Sequence, residues 1–277
     1  FRIYLHFLNL FVDPINHMGA AIAAAHTIFN ISNVIILTPF VSLLDKFLLF
    51  AVKDTDEDEV RVTKLASLKM TLPSVIIEQT KIEVSSMVTM IEDVFLKLEE
   101  SLKEKDKIAK YNDSIVEAED KLDLYEKEIY DSNFSLLSKS LSKELIEDTR
   151  MNLLTCDEYE TIGDYQNRIA NRLYMLYENS IELDETRAKM TFKLHSLTVE
   201  LFNDISRAAR TGEKELYSIG IKKYQILKTY YKEVKREHFS RSENIPARLN
   251  TGYLDIINYY KRIADHIYNI IEYVMKL

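Results

Sequence analysis

The chain has 277 residues, room for one large domain or two ordinary ones. Only 5 Gly and 4 Pro occur while 29% of residues are charged, which excludes hairpin-rich β folds and favours long helices. The net charge is −8 and no basic stretch is free of acids, so nucleic acid is excluded as a partner; one cysteine, Cys156, excludes an internal disulfide framework and fits a reducing compartment.

The first element is apolar. From Met18 to Leu44 no residue is charged, and a bilayer-spanning helix needs about 20 mostly apolar residues. Its Gly, Ala, Ser and Thr suit close helix packing in lipid. His26 and Asn30 are four apart on one helical face, with Thr27 and Asn33 adjoining, and Pro39 removes a backbone donor. Polar groups at membrane depth usually face a protein interior or water. We therefore read residues 1–52 as transmembrane segment(s), which the resemblance given below makes the last of a transport domain. His26, Thr27, Asn30 and Asn33 are its candidates for a substrate or ion pathway, with interhelical hydrogen bonding as the plainer role. Phe1 starts inside an apolar run without an initiator Met, from which we expect upstream sequence. The charge run "KDTDEDEVRV" makes 53–72 a charged linker.

Residues 73–277 read as helical. Pro73 suits a first turn, and Met87, Ile91, Val94, Leu98 and Leu102 follow at intervals of three and four. "SIVE" at 114–117 reads as a capping box opening a second helix, continued by Leu122, Tyr125 and Ile129. A third runs from about Leu141 into "RLYMLYENS". The fourth carries Met190, Leu194, Leu197, Leu201, Ile205 and Ala208 and stops at Gly212. A fifth spans "YSIGIKKYQILKTYYKEVKREHF" and a sixth runs from about Pro246 onwards. Six helices divide into repeats of about 73–180 and 184–277. "YETIGDYQNRIAN" aligns without gaps on "YKRIADHIYNIIE", matching Tyr159 to Tyr260, Gly163 to Ala264 and Asp164 to Asp265.

These two segments resemble the signature near the end of each three-helix bundle in PhoU-like proteins of phosphate homeostasis, carried here by Tyr159, Gly163, Asp164, Tyr260, Asp265 and His266. "HFSR" at 238–241 resembles another recurring element. "DPINHMGAAIAAAHTIFN", from residue 13, is similar to the last membrane segment of bacterial sodium/phosphate cotransporters, a family in which a PhoU-like domain follows the transport domain. The resemblance implies an all-α chain in which C-terminal transmembrane helices precede two tandem three-helix bundles. It further implies residence in the inner (plasma) membrane with 53–277 cytoplasmic. The partners would be inorganic phosphate and sodium through the whole transporter, the lipid bilayer, and no nucleic acid; a homo-oligomer stays open. The family's paired Gln-Ser-Ser-Ser motifs are absent from these residues. The alternative is a soluble PhoU-like phosphate-signalling adaptor that acts by protein binding.

PhoU-like proteins use Glu/Asp-x-x-x-Asp pairs for metal clusters. The resemblance thus nominates Glu119, Asp123, Glu160 and Asp164 for a divalent metal or iron, alongside the sodium ion of the transport domain. A solvated charged face is the competing reading. In the second repeat Lys261 stands where Glu160 stands in the first, so an ion pair with Asp265 is expected. No Gly-rich phosphate loop and no His-x-x-x-His pair occur, and Cys156 has no histidine near it in sequence. An enzyme is not expected.

Overall fold

The computed structural model describes residues 18–51, 62–65, 72–137, 141–241 and 245–276. The chain divides into two compact units, Phe1–Val60 and Arg61–Leu277.

In the first unit, α1 spans Met18–Ala51. Ile22, Phe29, Ile31, Val34, Ile35, Ile36, Leu37 and Phe40 are exposed, and Thr27 and Thr38 donate their hydroxyls back to the carbonyls of Ala23 and Val34. Among the described residues, no helix is long and apolar enough to cross a membrane. This corrects the transmembrane segment expected for residues 1–52 and the inner-membrane localisation that rested on it. The physical reason is dilution: His26, Thr27, Asn30, Ser32, Asn33 and Thr38 interrupt the apolar positions, so lack of charge overstated the apolarity of the stretch. The expected linker lies almost wholly outside the described residues.

The second unit contributes six helices: α2 Pro73–Lys103, α3 Asp106–Leu137, α4 Lys143–Glu178, α5 Glu185–Thr211, α6 Glu215–Ser240 and α7 Ala247–Lys276. Helices α2, α3 and α4 pack on one another, as do α5, α6 and α7. The two sets meet chiefly where α4 lies along α7, with α2 against α5 as a second contact. The apolar spacing explains the arrangement. Ile91, Leu98, Leu122, Ile129, Ile162, Ile169, Leu194, Leu201, Leu227, Val234, Ile263 and Ile267 each sit at or near zero exposure, so each of these six helices buries one stripe.

Helix ends follow local chemistry. Ser142 and Asp184 cap α4 and α5 by accepting from the amides of Leu145 and Arg187. Gly212 ends α5 at φ +74°, a left-handed turn that favours glycine. The start of α3 departs from expectation. Ser114 does not open it but lies inside, its hydroxyl turned back to the carbonyl of Tyr111, and the helix begins earlier, at Asp106. Cys156 packs with its Sγ 3.7 Å from Met87 Sδ, and burial pushes its thiol well up, so it behaves as an inert core group.

Candidate functional site

The contact between α3 and α4 depends on one small residue. Gly163 lets Leu122 of α3 lie directly over the α4 backbone; a methyl group there would collide with the Leu122 side chain. This close approach sets the facing carboxylates at short range. Glu119, Asp123 and Glu126 come from α3, and Asp157, Glu160 and Asp164 from α4, at spacings of three and four that keep each set on one face.

Their electrostatics record the crowding. Glu160 is pushed up to about 7, first by burial and then by the charge of Glu126, with Asp123 and Asp164 adding less and the Thr161 hydroxyl lowering it. Burial likewise leads the upward shifts of Glu119, Asp123, Glu126 and Asp157, with neighbouring acids adding to each. Two neighbours oppose the trend, Asn167 lowering Glu119 and Glu160 lowering Asp123. Near neutral pH Glu160 therefore holds its proton part of the time, where an isolated carboxylate would have lost it.

The four residues nominated for metal thus lie on facing helices, and their oxygens are the donors a hard cation takes. Asp164, however, is drawn aside by Arg168, Nε to Oδ1 2.8 Å. Among the described residues, no group of three or more His, Cys, Asp or Glu side chains is placed to hold a metal ion. In the second set Lys261 Nζ lies 2.7 Å from Asp265 Oδ1, where the Tyr224 hydroxyl also donates at 2.8 Å. There a side-chain cation occupies the carboxylate directly. The arrangement is a crowded acidic face, open to a cation, and not a preassembled cage.

The signature residues do structural work around this face. Tyr159 is buried, edge-on to Phe202 at 6.1 Å. Tyr260 is fully buried and its hydroxyl meets His195 Nδ1 at 3.0 Å; burial pushes His195 down to about 4, so that imidazole stays neutral. His266 lies against the Tyr165 ring at 5.6 Å and reaches Glu158 Oε2 at 2.7 Å.

Glu158 is the residue that motif reading missed. Only 3% exposed, it accepts from His266, from Asn269 Nδ2 at 3.1 Å and from the Tyr273 hydroxyl at 2.5 Å, all three on α7. A single buried carboxylate of α4 thereby ties the two helix sets together. The signal was available: Glu158 stands midway between Leu154 and Ile162 at spacing four, an acid on an otherwise apolar stripe. The "HFSR" element has a comparable role, since buried His238 accepts from Arg187 Nε (3.2 Å) at Nδ1 and faces Asn250 at Nε2 (2.7 Å), joining α5, α6 and α7. In the first unit His26, Thr27 and Asn30 are exposed and Asn33 half-buried along α1.

The family model for the PhoU domain matches residues 84–173 and 192–274. The phosphate transport system regulatory protein PhoU from Streptococcus pneumoniae superposes with a TM-score of 0.64 at 19% identity, over 74% of this chain and 95% of that one. PhoU from Pseudomonas aeruginosa gives a TM-score of 0.66 at 17% identity, over 72% and 94%. At these identities the likeness is one of fold. No curated protein matches. None of these findings supports the cotransporter resemblance of the opening segment.

Proposed function

We propose that this chain, which belongs to the PhoU family, is a regulator of phosphate homeostasis that acts by binding protein components of a phosphate transport system. Family membership makes it a regulatory, non-enzymatic protein. The observation that carries the reading is the α3–α4 face, where six carboxylates crowd together and Glu160 is raised to about 7. Crowded, partly buried acids gain from any cation that offsets their mutual repulsion. A basic segment of a transport-system protein supplies such a cation in the form that an adaptor recognises. Lys261 shows the chemistry within the fold, having settled on Asp265 in the second set.

Phosphate uptake and phosphate-responsive gene expression, measured in cells with and without the chain, test the role. The reading expects uptake to lose its dependence on external phosphate when the chain is missing. Identical regulation in both strains would refute it. Metal analysis of the purified chain, before and after chelation, separates the remaining alternative. A stoichiometric metal whose removal lowers the melting temperature would transfer the role of counter-cation from the partner to a divalent ion or iron.

A further inference from the structure

A cavity lies away from the acidic face, between the two sets of helices. Residues of α2, α4, α5, α6 and α7 enclose about 630 Å³, within the range of small-molecule sites, and α3 contributes none of its lining. Val84 and Val88 of α2 face it, as do Ile270 and Val274 of α7, so its walls are mainly apolar. Three buried hydroxyl residues interrupt them: Tyr159, Ser206 and Tyr217. Ser206 is 1% exposed, and its Oγ has no hydrogen-bond partner among the described residues. Buried Thr191 and Thr198 of the same helix donate back to the carbonyls of Arg187 and Leu194, the usual recourse of a helical hydroxyl. Burial pushes the Tyr159 and Tyr217 phenols up, with no hydrogen bond contributing to either shift. Exposed Lys81 and Arg210 stand at the rim with their charges already paired. Lys81 holds Glu78 at 2.8 Å and Asp148 at 3.2 Å, and Arg210 holds Glu92 at 2.8 Å.

We propose that this cavity binds an uncharged small organic molecule with an apolar body and a hydrogen-bond-accepting oxygen of the carbonyl type. The valine and isoleucine walls take the apolar body, and release of its surface from water drives entry. The hydroxyls supply the donors. A buried donor left without an acceptor is costly, so the site favours a ligand that carries one over its plain hydrocarbon analogue. A charged ligand would have to draw Lys81 or Arg210 away from the carboxylates that hold them, which selects against it. A molecule seated here touches both sets of helices at once.

Prodan, a neutral naphthalene bearing a propionyl carbonyl, emits further to the blue when it leaves water and serves as the probe for the full chain. Titration should saturate at a single site with blue-shifted emission. Ala209→Phe, at an exposed position on the cavity wall, should weaken binding at least about tenfold by occupying the space. Tyr217→Phe keeps the ring, removes one donor and should weaken binding about threefold. Both variants should keep the parent's helical circular dichroism, and Ser206→Ala repeats the donor test if Tyr217→Phe does not fold. 2-Acetylnaphthalene should displace Prodan at a lower concentration than 2-naphthoate, its carboxylate counterpart. Absence of saturable binding would overturn the proposal. So would binding that neither Ala209→Phe nor the donor variants weaken, or a preference for naphthoate.

Discussion

Glu160 and Glu158 stand two residues apart on α4 and face different neighbours. Glu160 faces other acids and answers by holding its proton up to about pH 7, where an unfolded glutamate titrates near 4.5. Between those values the folded chain binds more protons than the unfolded one, so stability falls as pH rises and the loss is complete above pH 7. Replacing Glu160 with glutamine should raise the melting temperature relative to the parent at about pH 8 and leave it equal at about pH 4. Thermal melts followed by circular dichroism at the two pH values decide this; equal melting at both would mean the carboxylate is not under strain. Glu158, by contrast, sits among donors. Glu158→Gln should cost about 2 kcal/mol in urea unfolding, the scale of hydrogen bonds to a charged acceptor. Combined with Tyr273→Phe, the two losses should fall short of additive, since both act on the bond at 2.5 Å. Strict additivity would place the Tyr273 contribution elsewhere.

At the scale of elements, the apolar stripes were readable because a helix repeats every 3.6 residues and the stripes obey that period. The end of α5 was readable from Gly212 for an equally local reason, whereas Ser142 and Asp184 emerged as the caps of α4 and α5 only in the structure. What escaped has physical causes as well. The start of α3 was misplaced because a serine that satisfies its hydroxyl on Tyr111 costs a helix interior little, so "SIVE" did not have to be a boundary. The apolar opening was overread because absence of charge is a weaker requirement than continuous apolarity. Gly163 was legible as a signature residue, but its purpose required seeing Leu122 across from it. Gly163→Ala gains about 1 kcal/mol of helix propensity and should lose more than that to overpacking, which runs at about 1–3 kcal/mol. A net lower melting temperature, partly recovered when Leu122→Ala makes room, is the expected result. A variant more stable than its parent would show that α3 and α4 can part without cost.

For the molecule as a whole, the two sets of helices are not equivalent, and the difference bears on function. The first set presents carboxylates that burial and mutual repulsion push upward, Glu160 to about 7; the second satisfies its counterpart with Lys261 and Tyr224. The first face was nominated by four residues in the sequence, whereas Glu126 and Asp157 joined it only through the packing of α3 on α4. The Glu158 link holds the two sets in register from inside and the His238 link ties the second set together, leaving that face to interact outward. The most direct test of this account is the affinity of the full chain for the phosphate transport system it is proposed to regulate, measured with the parent and with Glu119→Gln, Asp123→Asn and Glu160→Gln combined. The account predicts at least about tenfold weaker binding for the combined variant, with stronger salt dependence in the parent and no loss of folding. Equal affinity of a well-folded variant would contradict it and take the acidic face out of partner recognition.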